Sequence, residues 1–122
     1  MKFWRELLGK NHCILPIQRF YENVNLGGRN AVLEFTPKEG GEVILPGLWD
    51  TWGEGKNRLD TFAVITDDPN PEVAETGHDR TPIPMKDENI DRWLNPGRLS
   101  EEELFEIMAD KRRFYFKHQK TA

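Results

Sequence analysis

Punctuation constrains this chain more than any other feature. "NVNLGGRN", "TPKEGGE" and "GEGKN" interrupt the apolar sequence between residues 23 and 57, so no stretch there is long enough for a core helix. Their glycines and asparagines tolerate the left-handed backbone that tight turns need. The segments between them read as strands. "CILPIQRFYE" (Cys13 to Glu22) and "AVLEF" (Ala31 to Phe35) form a hairpin or meander. "VILPGLWDTW" (Val43 to Trp52) follows, where Pro46 and Gly47 predict a bulge or a sheet edge rather than a central ladder. "TFAVIT" (Thr61 to Thr66) is the clearest buried strand, ending at Thr66.

Helical patterning is confined to short pieces. "FWRELLGK" has apolar residues at 3, 4, 7 and 8, spaced for one helix face, with Gly9 as its stop. "KDENIDRWLNP" is a short helix with Ile90, Trp93 and Leu94 on one face, and "SEEELFEIM" opens on a Ser100–Glu103 capping box. "RRFYFKH" has the aromatic content of a strand. The predicted class is α+β, strand-rich with short peripheral helices, in a single domain over residues 1–122. A chain of this size supports one core, near the length at which losing a neighbouring segment would be felt.

Several function classes are disfavoured. No apolar run approaches a membrane span, and the first fifteen residues lack a signal peptide's apolar core, so a soluble, cytoplasmic protein is expected. A single cysteine, Cys13, excludes an internal disulfide and a cysteine-rich zinc site. No metal-ligand spacing, phosphate loop or nucleophile elbow appears, and neither metal nor cofactor is expected. The net charge of −4 conceals an uneven distribution: residues 34–110 carry nineteen acidic and seven basic side chains, and residues 111–122 carry five basic and none acidic. Ordinary solvated surface with a basic tail accounts for this, as does a basic face assembled from the two ends of the chain.

The chemistry-bearing candidates are few. His78, Asp79 and Arg80 stand together in "DDPNPEVAETGHDRTPIP", whose four prolines predict ordered coil. An imidazole there suits a proton shuttle and also an ordinary hydrogen-bonding role. Arg80 suits a phosphate or a salt bridge to one of the many nearby acids. Glu22, read as a strand-end carboxylate beside two aromatic rings, is either solvated or partly desolvated and raised toward acid–base work. Cys13 reads as a buried thiol ahead of a nucleophile. Trp49 and Trp52 read as core or rim packing, with base stacking as the alternative.

Taken in order, "CILPIQRFYE", "LPGLWDTW", "FAVIT", "HDRTPIP" and "RWLNP" resemble the SOS-response-associated peptidase (SRAP) family of abasic-site DNA–protein crosslinking proteins, specifically the C-terminal part of its domain. The resemblance implies a curved, β-barrel-like scaffold that binds single-stranded DNA. It places the family's catalytic glutamate and histidine on Glu22 and His78, its phosphate-binding arginine on Arg80, and the threonine closing the preceding strand on Thr66. Family members begin Met-Cys, and that cysteine condenses with the aldehyde of an abasic site; this chain begins Met-Lys. Cys13 corresponds to a structural cysteine, and Asn23 replaces the tryptophan that usually follows the glutamate. The resemblance therefore implies half a site. The expected partners are abasic single-stranded DNA and either an N-terminal half-domain or a second copy paired through open strand edges.

Overall fold

The computed structural model describes residues 2–67, 80–112 and 116–121. The chain begins with α1 (Lys2–Leu7), followed by β1 (His12–Ile17), β2 (Phe20–Leu26), β3 (Arg29–Pro37), β4 (Val43–Trp52) and β5 (Leu59–Val64). A short ribbon of β6 (Thr66–Asp67) and β7 (Thr81–Pro82) comes next, then α2 (Ile90–Leu94), α3 (Glu101–Ala109) and β8 (Phe116–Lys120). The strands form two three-stranded antiparallel sheets, β1–β4–β5 and β2–β3–β8, besides the β6–β7 ribbon.

The β1–β4–β5 sheet is the middle of three layers. Side chains alternate across a strand, so β4 turns Val43 and Leu45 to one face and Leu48 to the other. The first face meets Val24, Leu33, Phe35 and Phe116 of the second sheet, where Phe20 stacks on Phe35 at 5.0 Å and meets Phe116 edge-on at 5.2 Å. The opposite face packs against Trp93 of α2, Leu104 and Ile107 of α3, and the end of α1. Trp93 is wholly buried; its indole Nε1 donates to the Cys13 carbonyl at 2.9 Å and its own carbonyl accepts from His12 Nδ1 at 2.8 Å, which ties α2 to β1.

The predicted hairpin is present. Leu26 pairs with Arg29, leaving Gly27 and Gly28 as a two-residue turn, both at positive φ (59° and 84°) as such a turn requires. The capping box at Ser100 is formed in full: its side chain accepts from the Glu103 amide, and Glu103 reaches back to the Ser100 amide. In "KDENIDRWLNP" a 3₁₀ turn (Asp87–Asn89) precedes α2; Trp93 is buried and Ile90 half-buried, but Leu94 points outward at 40 % exposure.

Four sequence expectations need correction. "CILPIQRFYE" is two strands, because the chain bends at Gln18 and crosses from one sheet to the other. β4 is central in its sheet despite Pro46 and Gly47. Pro46 is tolerated because it lies just beyond the last β4–β5 pair, Gly47 with Val64, where only its carbonyl is used, accepting from the Ile65 amide at 3.1 Å. Gly47 is needed for closeness: a Cβ there would lie 2.9 Å from Cys13 Sγ and 3.0 Å from the Ala63 carbonyl oxygen. The third correction concerns "TFAVIT". Its strand ends at Val64 and is largely exposed, since β5 is the outer strand of its sheet among the described residues; Thr66 instead opens β6. Finally, the basic residues of the N-terminal end are divided between layers: Arg5 lies on α1 against β4, whereas Arg29 is on β3, in the same sheet as β8.

Candidate nucleic-acid site

The β6–β7 ribbon pairs Thr66 with Pro82 and Asp67 with Thr81, bringing segments fourteen residues apart into contact. Arg80, just before β7, thereby reaches Thr66: its Nε donates to Thr66 Oγ1 at 3.2 Å and its Nη2 to the Thr66 carbonyl at 2.5 Å. The guanidinium is fixed by the backbone yet exposed. Asp67 beside it is held by an ion pair with Lys111. Thr81, next in sequence to Arg80, is buried, and its hydroxyl has no hydrogen-bond partner among the described residues.

Glu22 is in the middle of β2, not at a strand end. It pairs with Leu33 and shares the inward face of its strand with Phe20 and Val24, so a half-buried carboxylate faces the apolar interior between the sheets. Periodicity would have revealed this inward placement had the strand break at Gln18 been recognised. His78 lies outside the described residues. Thr66 and Arg80 are therefore brought together, and Glu22 projects from the other sheet.

Thr66, Asp67 and Arg80 line one end of a trough of about 840 Å³ along β5. Its walls are mainly apolar: Trp4 and Leu8 near α1, Trp49 and Phe62 on the sheet, Phe105 and Met108 on α3. Trp49 and Trp52, expected in the core or at a rim, stand 40 % and 54 % exposed, at the rim. Cys13 is half-buried, and desolvation pushes its thiol pKa above the usual value, away from nucleophilic duty. Among the described residues no group of three His, Cys, Asp or Glu side chains is placed to hold a metal ion, and no helix is long and apolar enough to cross a membrane.

One residue escaped notice in the sequence. His12 is buried against Trp93, with ring centroids 3.9 Å apart; Nε2 accepts from the Gly9 amide at 2.8 Å and Nδ1 donates to the Trp93 carbonyl. Desolvation lowers its pKa, outweighing the opposing effect of the Trp93 bond. Its role is to lock α1 and α2 to β1, and a lone histidine at a strand start carries no sequence signal for that.

These two sheets with peripheral helices and an arginine fixed at a strand end define a strand-rich α+β scaffold with a polar grip at its rim. The sequence matches the family model "SOS response associated peptidase (SRAP)" over residues 1–120, and the chain belongs to that family. It is 36 % identical over 96 residues to the abasic site processing protein YobE of Bacillus subtilis, a match covering 76 % of this chain and 43 % of YobE. The abasic site processing protein YoaM of the same organism is 30 % identical over 108 residues, covering 87 % of this chain and 47 % of YoaM. Among solved structures, a Bacteroides thetaiotaomicron protein superposes with a TM-score of 0.76 at 23 % identity, covering 97 % of this chain and 52 % of that one. A phage-related protein of Bordetella bronchiseptica gives 0.73 at 19 % identity, with 97 % and 56 % covered. The chain thus spans about half the length, or less, of the curated relatives it matches.

Proposed function

We propose that this chain binds single-stranded DNA at abasic sites as part of an SRAP-type crosslinking site in the response to DNA damage. In this reading Arg80, steadied by Thr66, grips a backbone phosphate, and Glu22 and His78 serve as the acid–base pair around the abasic aldehyde. The observation that carries it is the Arg80–Thr66 contact: an exposed guanidinium, fixed by a backbone carbonyl at the rim of a trough, in a family whose curated relatives are named for abasic-site processing. Glu22 supports it as a half-buried carboxylate among apolar neighbours.

The covalent step needs a residue carrying both a free amine and a thiol. Cys13 does not qualify, because its nitrogen is in a peptide bond and burial raises its thiol pKa. In this reading the nucleophile lies outside residues 1–122, and these residues by themselves form at most a Schiff base. Peptidase activity in this scheme is confined to release of the residue ahead of that nucleophile.

Incubation with an abasic oligonucleotide, followed by a denaturing gel, tests this. Residues 1–122 alone are expected to bind salt-sensitively and to give a band only after borohydride trapping; a heat-stable adduct without reductant would refute the placing of the nucleophile outside them. With a segment supplying an N-terminal cysteine, a stable adduct is expected, and Glu22→Gln or His78→Ala should slow its formation by ~10²–10⁴-fold. Parental rates in both variants would reduce these residues to scaffolding.

A further inference from the structure

We propose that the open side of β5 is the seat of a polypeptide strand from the part of an SRAP-family chain that this one does not span, and that the seated strand completes the site at Thr66 and Arg80. The completion clause rests on the functional reading above; the docking surface stands on geometry. Ile65 donates to the Pro46 carbonyl, so by the two-residue alternation of an antiparallel pair Leu59, Thr61 and Ala63 turn their amides to β4. Asp60, Phe62 and Val64 then present theirs along the opposite edge, where no strand pairs among the described residues. Such an edge is a template for another strand.

The side chains beside that edge are those of an interior. Leu59 and Phe62 are 60 % and 62 % exposed, and Trp49, Phe105 and Trp4 lie 37–47 % exposed along the same trough. Contiguous aromatic surface of this kind marks an interaction site. The lining selects the occupant. The walls are mainly apolar and the charges on them are few among the described residues, Asp50, Asp67 paired with Lys111, and Arg80 engaged with Thr66, a surface that accepts an extended apolar peptide. Length identifies the source: relatives of 30–36 % identity are more than twice as long as their matched region, so they contain a further half that has to pack somewhere. A strand laid on β5 would run to the end of the trough, next to the residues proposed to hold DNA.

The test is co-expression of this chain with a tagged polypeptide comprising the part of YobE outside the matched region, and separately with that of YoaM. The expected result is a one-to-one complex in which the amides of residues 59–64 exchange more slowly than in the chain alone. Phe62→Glu, at an exposed position that should not disturb folding, is expected to weaken the complex about tenfold or more, whereas Tyr21→Glu on β2 leaves it unchanged. Failure of both segments to bind, or protection on β2 or β8 in place of β5, would overturn the proposal. So would a dimer of this chain through β5 that neither segment displaces, since the seat would then belong to a second copy. Because the complex is scored without DNA, its failure leaves the abasic-site reading to the gel assay, and loss of DNA binding leaves the complex unaffected.

Discussion

On the side of the middle sheet that faces β2–β3–β8, Phe35, Leu45 and Phe116 are sealed to 3 % exposure or less, whereas Leu59 and Phe62 on β5 keep about three fifths of their surface in water. Both groups lie on strands of antiparallel sheets. The difference is cover: β4 has a neighbour on each side and a layer above and below, and β5 has one neighbouring strand among the described residues. Hydrophobicity tells a strand that it prefers burial, and only the arrangement of other elements grants it.

Truncation on the two sides should therefore give opposite results. Phe35→Ala removes a fully buried ring stacked on Phe20 and is expected to cost ~3–5 kcal/mol, while Phe62→Ala should change stability by no more than about 0.5 kcal/mol. Chemical denaturation of the two variants checks this, and equal losses would mean that β5 is covered in solution. Gly47→Ala sharpens the contrast within the central strand. It forces a Cβ against Cys13 Sγ and the Ala63 carbonyl, so a loss of ~1–3 kcal/mol is expected, with disturbance at both β1 and β5 amide signals.

A smaller effect of opposite sign is expected at the rim. Thr81 buries a hydroxyl with no partner among the described residues, so Thr81→Val, similar in shape, should leave stability unchanged or raise it by about 1 kcal/mol. A clear loss would reveal a hydrogen bond made in solution. The smallest prediction concerns pH. Burial lowers the folded-state pKa of His12 below its ordinary 6.5, so the unfolded chain takes up the proton first. The contribution of His12 is complete above about pH 6.5 and declines as the pH falls from there through the lowered folded value. Melting curves between pH 8 and pH 5 should show this decline, and His12→Gln should flatten it.

Much of the fold was legible because it depends on local chemistry. Gly27–Gly28 can only be a turn, Ser100 with Glu103 caps a helix, and Gly9 ends α1 by adopting a φ of 88°. The family itself was likewise legible in the sequence, and the match over residues 1–120 shows it. Tertiary structure decided what sequence periodicity leaves open. Pro46 in a central strand depends on where the β5 ladder stops, and the inward turn of Glu22 on a strand separate from β1. The grip of Arg80 on Thr66 requires a ribbon between distant segments, and His12 acquires its role only when α2 folds back over β1. Local propensity acts over a few residues; burial, edge position and the meeting of remote side chains are set by which elements become neighbours, information carried by the whole chain at once.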